Sequence, residues 1–269
     1  MTTSLNSTPT VTSRDGTRIA FDVAGTGPAV ILISGGSVDH TSTAPVAALL
    51  AEHFTVHNLH RRGRGESGDT APYAVQREIE DIEAVIDAAG GSAFVWGSSS
   101  GAVLALEAAR ALPGKVAKLA LWEPPYVLDP ARRPPPDTAR IYRDLVQAGR
   151  RGDAAEYFMK EVVRMPAEFV AGARTQPWWP KQEALAHTLE YDAILMGDYT
   201  LPEARVREVR TPTLVLSGEA SFEFIRESAR AVAALVPNGR HHSLAEQTHN
   251  VDPKVLAPAL HDFFGAPHA

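Results

Sequence analysis

One stretch limits the fold more than any other. The apolar run Ala93-Phe94-Val95-Trp96 leads into Gly97-Ser98-Ser99-Ser100-Gly101, and Ala102–Leu112 is then apolar nearly all round. The first run reads as a buried strand and the last as a helix packed on a sheet. A serine at the apex of so sharp a turn takes a strained backbone and drives its flanks against neighbouring segments. The residues two before and two after it therefore need to lack a Cβ. Only Ser99 has glycine at both offsets. Ser100 has Ser98 and Ala102 there, and Ser98 has Trp96 on one side. A serine-rich loop would carry the same five residues, but not the strand before them and the helix after them.

The rest of the chain repeats this unit. Strand patterns fall at Thr17–Val23, Ala29–Ile33, Phe54–Leu59, Val116–Trp122, Thr213–Ser217 and Arg240–Leu244. Helical patterns fall at Ala44–His53, at the spacing Val75, Ile79, Ile82, Val85, Ile86, at Phe222–Leu235 and at Pro253–Phe264. Alternating strands and helices predict an α/β chain with a mostly parallel central sheet of about eight strands and helices on both faces. From about Pro124 to Arg210 the strand signal vanishes and several helical stretches follow the proline-rich Arg133-Pro134-Pro135-Pro136. That length exceeds what a structureless loop supports. It predicts a helical cap subdomain at 127–210 on a core made of 1–126 and 211–269.

Composition removes several function classes. The 269 residues contain no cysteine, which excludes disulfide frameworks, thiolate metal sites and thiol nucleophiles. A net charge of −6 argues against nucleic acid as a partner. Two short basic runs, Arg61-Arg62-Gly63-Arg64 and Arg132-Arg133, read as solvated loops. The opening MTTSLNSTPT has no signal-peptide pattern, the Asn6-Ser7-Thr8 sequon reads as chance, and no run reaches membrane-spanning length. The expectation is a cytoplasmic protein without membrane contact. There is no phosphate-binding G-x-x-x-x-G-K, and Gly25-x-Gly27 lacks a third glycine, so no nucleotide or other cofactor is expected. The grouping His241, His242, Glu246 and His249 matches no zinc spacing, and no metal is expected.

A serine hydroxyl is a weak nucleophile until a base takes its proton. Of the ten histidines, His249 sits in a short segment between the last strand and the last helix, where a side chain reaches back over the serine. His241 and His242 lie within a strand, His187 in the insertion and His268 in the tail. An orienting acid has two candidate positions, each at a strand end: Glu123, followed by two prolines that fix its aim, and Glu219. Glu123 is favoured and Glu219 remains open. The negative oxygen of a tetrahedral intermediate needs two N–H donors. The backbone of Ser100 is one candidate. Gly36, in Ser34-Gly35-Gly36-Ser37 after the strand Ala29–Ile33, is the other. Trp178, Trp179, Tyr126, Tyr191 and Met196 are expected either to line an apolar substrate cavity or to fill the core of the cap.

These parts, in this order, resemble the α/β-hydrolase superfamily across nearly the whole chain outside the cap. The shared markers are Gly25-Thr26-Gly27-Pro28, Ser34-Gly35-Gly36, Arg62-Gly63-Arg64-Gly65-Glu66-Ser67, the serine turn, Pro212-Thr213-Leu214-Val215 and His249. Three positions depart from the pattern. Ser34 stands where the family often has His, His60 where it usually has Asp, and Ser221 where many members carry the acid. The last departure favours Glu123, since some branches place the acid after the preceding strand. Val95-Trp96-Gly97-Ser98-Ser99-Ser100-Gly101 together with Glu123 looks like the zearalenone lactonases, which open a resorcylic macrolactone. The resemblance implies hydrolysis of a small apolar ester or lactone through an acyl-serine. Perhydrolysis, C–C cleavage, cofactor-free cyclisation and a non-catalytic receptor remain alternatives on the same scaffold. Haloalkane dehalogenases need Asp as nucleophile, which Ser99 is not.

Overall fold

The computed structural model describes residues 8–266, so His268 and the start of the sequon at Asn6 lie outside the described residues. In chain order the elements begin with β1 (Thr10–Thr12), β2 (Arg18–Ala24), β3 (Ala29–Ile33), α1 (Ala44–Leu50), β4 (Thr55–Leu59), α2 (Val75–Ala88), β5 (Ala93–Ser98), α3 (Ser100–Ala111) and β6 (Val116–Trp122). Helices α4 (Thr138–Gln147), α5 (Arg151–Tyr157), α6 (Ala167–Ala173), α7 (Trp179–Leu185), α8 (Leu189–Met196) and α9 (Glu203–Val206) follow. The chain closes with β7 (Thr213–Gly218), α10 (Glu223–Leu235), β8 (Gly239–Leu244) and α11 (Pro253–Gly265). None of the described helices is long and apolar enough to cross a membrane.

All eight strands form one sheet in the order β1-β2-β4-β3-β5-β6-β7-β8. The pairings of β1 with β2 and of β2 with β4 are antiparallel, and all the others are parallel. The expected α/β architecture is the one observed. Only β1 had no counterpart in the sequence pattern, being a three-residue edge strand. Helix α1 ends at Leu50, short of His53. Beyond it the carbonyl oxygens of Ala51 and His53 turn toward Gly25 and Gly27, where a Cβ would collide with them.

Strand periodicity divides the core in two. Ile31, Ile33, Val95, Leu119, Leu121 and Val215 face the cluster that includes residues of α2, α3 and α10. Their neighbours Val30, Leu32, Trp96, Ala120, Trp122, Leu214 and Leu216 face the cluster that includes residues of α1 and α11. Successive side chains of a strand point to opposite faces, so near-continuous apolar runs are what a sheet covered on both sides requires. Strand order reverses between β3 and β5, and ligands of open α/β sheets bind at the carboxyl ends of the strands at such a switch. The loop after β3 and the turn after β5 both stand there.

Candidate active site

Ser99 immediately precedes α3 with φ 55° and ψ −124°, a conformation that L side chains rarely adopt. Its N–H donates to the Trp122 carbonyl (2.8 Å), and its own carbonyl accepts from Ala102 N–H (2.9 Å). The flanking glycines are required sterically. A Cβ on Gly97 would land on the Gly101 carbonyl oxygen, and one on Gly101 would lie 2.5 Å from the carbonyl oxygens of both Ile33 and Ser34.

Ser98 pairs with Trp122 across β5 and β6, so Ser99 and Glu123 each stand one residue past the same register point. Glu123 also takes a left-handed backbone, φ 49°, and is fully buried. Its Oε1 accepts from Gly218 N–H (2.8 Å), and its Oε2 accepts from the Ser221 hydroxyl (2.9 Å). The same Oε2 lies 2.5 Å from His249 Nδ1. A ring nitrogen that close to a carboxylate carries the proton, which leaves the lone pair on Nε2. The His249 loop is held from below: Trp122 Nε1 donates to the His249 carbonyl (3.0 Å), and Ala220 N–H donates to the Gln247 carbonyl (2.9 Å). Glu219 is exposed, and the carboxylate on His249 is that of Glu123. Ser221 could not be foreseen as a partner, although its position had been marked as a departure. A hydroxyl there holds the neighbouring strand's acid.

Ser99, Ser100, His249, Gly35 and Gly36 all line one cavity of about 500 Å³. Its far wall comes from the helices between β6 and β7, with Phe158, Met159, Val162, Trp178, Met196 and Tyr199 facing in. Residues Phe158–Val162 form a π-helical turn continuous with α5, a local widening that recurs at functional sites. Of the five residues expected to line the cavity or fill the cap, Trp178 and Met196 are in the wall. The other three lie elsewhere. Trp179 is buried with Ala155, Val170 and Ala173, under the Arg174 guanidinium. Tyr126 lies in the main core, and Tyr191 donates to Asp69 Oδ2 (2.7 Å) while stacking on Tyr73. The remaining histidines have other surroundings: His241 Nε2 is 3.0 Å from Ser217 Oγ, His187 Nε2 is 3.0 Å from the Gly63 carbonyl, and His242 is exposed.

The basic run at 61–64 corrects an expectation. Arg61, Arg62 and Arg64 are all buried, not solvated, because each guanidinium meets carboxylates from distant segments. Arg62 bridges Asp81 (2.8 Å) and Asp15 (2.7 Å). Arg61 grips Glu78 with Nε and Nη2 (2.8 and 2.9 Å) and reaches Asp192 Oδ1 with Nη1 (2.9 Å). Arg64 donates to Asp192 Oδ2 (2.6 Å). Burial opposes charge on Glu78 and Asp192, but the guanidiniums outweigh it and hold both carboxyls below their ordinary range. Asp192 lies on α8 and lines the cavity, and nothing in the sequence marked it.

One group outside the cavity has metal-ligating side chains, Asp22, His40 and His60, with ligand atoms within 4.8 Å of one another. His60 Nδ1 accepts from Glu66 N–H (3.1 Å), so its proton sits on Nε2, the atom facing Asp22 at 3.4 Å. A protonated Nε2 makes no hydrogen bond in this position and offers no lone pair to a cation. The set does not fit a metal.

A crystal structure of an alpha/beta hydrolase from Sphaerobacter thermophilus DSM 20745 matches with a TM-score of 0.89 and 51% identity, covering 95% of this chain and 100% of that one. The enol-lactonase from Burkholderia xenovorans LB400 shares the fold, with a TM-score of 0.73 and 20% identity over 96% of this chain and 100% of that one. The pimeloyl-[acyl-carrier protein] methyl ester esterase of Xanthomonas campestris pv. campestris (strain B100) is 37% identical over 95 residues, 35% of this chain and 36% of that protein. The chain spans less than half the length of the curated relatives it matches. A family model described as "Alpha/beta hydrolase family" matches residues 30–259, and the chain belongs to that family.

Proposed function

We propose that this protein is a serine hydrolase that cleaves a small apolar carboxylic ester or lactone through an acyl-serine intermediate. The observation that carries the reading is the 2.5 Å contact between His249 Nδ1 and the buried Glu123 carboxylate, with His249 and Ser99 on the wall of one cavity. Ser99 Oγ attacks the carbonyl carbon and its proton passes to His249 Nε2. Glu123 keeps the imidazole in the accepting tautomer and stabilises the imidazolium that forms. The N–H groups of Gly36 and Ser100 receive the oxyanion. Collapse breaks the ester C–O bond, and the leaving alkoxide takes the proton from His249. In a lactone this alkoxide stays tethered as the hydroxyl end of the product. Water then attacks the acyl-serine, gives its proton to His249, and releases the acid as Ser99 regains its hydrogen.

The helices between β6 and β7 act in this reading as a cap that selects the acyl or alcohol part. Their inward side chains are mostly apolar, Gln182, Asp192 and Tyr199 being the polar ones, and the Asp192 charge is already met by Arg61 and Arg64, which suits an uncharged substrate. A resorcylic macrolactone such as zearalenone belongs to that class, on the likeness of the serine turn and of Glu123. The enol-lactonase and methyl ester esterase among the similar proteins act on the same kind of bond by name. The test is mass spectrometry of the intact chain after exposure to a panel of esters and lactones, with a fluorophosphonate probe alongside. Acyl and phosphonyl adducts on Ser99 are expected. Turnover with no adduct there, or adducts on another residue, would overturn the reading.

A further inference from the structure

We propose that Asp192, carried on α8, is a positioning residue for the oxyanion pocket: it fixes the direction of the Gly36 and Ser100 N–H groups through the two arginines that hold the loop after β3 and through the Ser100 hydroxyl. The inference rests on the serine-hydrolase reading and adds a residue to it.

The argument begins with a peptide plane. The carbonyl of Gly35 and the N–H of Gly36 are two ends of one trans peptide unit and point in opposite directions. The Gly35 oxygen accepts from Arg64 Nη1 at 2.5 Å and from Arg61 Nη1 at 3.5 Å. The same two guanidiniums take the carbonyls of Val38 (2.9 Å, from Arg64) and Ser34 (3.3 Å, from Arg61). Three carbonyl oxygens of the loop after β3 are thus turned onto one buried cationic pair. The Gly36 N–H is thereby turned away from that pair.

Two guanidiniums this close and fully buried repel each other unless an anion lies between them. Asp192 is that anion. Its Oδ1 binds Arg61 and its Oδ2 binds Arg64, and Oδ1 also accepts from the Ser100 hydroxyl at 2.8 Å. Its carboxylate lies directly against the loop: a Cβ on Gly36 would sit 3.2 Å from Oδ2. One carboxylate therefore binds the Ser100 hydroxyl and the arginines that aim the loop, and fills the space beside Gly36. With Glu78 on the far side of Arg61, the cluster holds two cations and two anions. The contact also runs between parts of the chain far apart in sequence, so α8 and the loop after β3 are fixed as one unit.

The experiment compares the full-length protein with Asp192→Asn and Ser100→Ala, using an ester that the parent cleaves. Asp192→Asn keeps the shape, removes the charge and leaves a surplus cation. It is expected to lower kcat about 100-fold while KM stays within about threefold, since the donors are misaimed and the cavity is intact. Ser100→Ala keeps its N–H and loses only the hydroxyl contact, and is expected to lower kcat about tenfold. Hydrogen exchange supplies a readout independent of turnover. Amides of residues 34–38 and of the first turn of α3 should exchange faster in both variants, with the rest of the sheet unchanged. Parental kcat, or parental exchange at 34–38, overturns the proposal. So does a loss of rate that only tracks the unfolded fraction. If Asp192→Asn does not fold, Ser100→Ala decides on the same two measurements. Failure of the underlying reading looks different: Ser99→Ala would then be as active as the parent, while the exchange data would still report whether Asp192 orders the loop.

Discussion

The strand-end side of the cavity and the helices that face it place their apolar side chains by different rules. In β3, β5 and β6 each position has one outcome, because the pleat sends alternate residues to fixed opposite faces and both faces are buried. Between β6 and β7 no such rule holds. Trp178 and Trp179 are neighbours in sequence, yet Trp178 stands at the cavity, partly exposed beside Phe169, while Trp179 is buried among Ala155, Val170 and Ala173. A short helix with its own small core on one side and a cavity on the other gives an aromatic residue two apolar destinations. Hydrophobicity alone does not separate a substrate-facing residue from a packing residue there. In the proposed reaction the strand-end side supplies the reacting groups and the helical side the shape.

If that division is right, substitutions on the two sides should fail in different ways. The largest effect is expected on the strand-end side: Ser99→Ala should lower kcat by about four to six orders of magnitude with the fold intact, read by turnover and circular dichroism. An unreduced rate would remove the proposed chemistry altogether. Next, Glu123→Gln should cost about three to four orders of magnitude, because the histidine loses the partner that fixes its tautomer. Glu219→Gln should stay within about threefold. Equal losses would break the assignment of the acid. On the helical side, Trp179→Ala should destabilise by about 3–5 kcal/mol in chemical denaturation, with kcat/KM per folded molecule little changed. Trp178→Ala should do the reverse, changing KM for bulky esters by up to about tenfold with little loss of stability. Reversed outcomes would mean that the division between packing and substrate contact runs elsewhere.

The smallest effect concerns acid. Glu78 and Asp192 titrate below their ordinary values in the folded chain, because their guanidinium partners outweigh the cost of burial. Unfolding returns both to about pH 4. Their stabilisation is therefore complete above that range and is lost as pH falls through the depressed folded values. The thermal midpoint should drop between about pH 5 and pH 3. The slope should be shallower in Asp192→Asn, which has one such carboxylate fewer. Equal slopes would mean that Asp192 is not held as a paired anion.

The chain order of residues was enough to identify every strand but β1, the serine turn and the register of Ser99. Each depends on local sterics or on a period of two: where Gly97 and Gly101 must lack a Cβ, and where apolar runs must be continuous. It also brought forward Glu123 and His249, since both fall at segment ends that a parallel sheet gathers at one edge. The tertiary structure set which of the two glutamates meets His249. Only the left-handed turn at residue 123 tucks that carboxylate under Gly218, Ser221 and His249. It also reversed the reading of Arg61, Arg62 and Arg64. A run of arginines looks solvated until distant carboxylates come to meet it, and Asp15, Glu78, Asp81 and Asp192 are brought there only by the fold. Short-range constraints are written in neighbouring residues. Charge compensation acts between residues that become neighbours only when the chain has closed on itself, which is why no local pattern carried it.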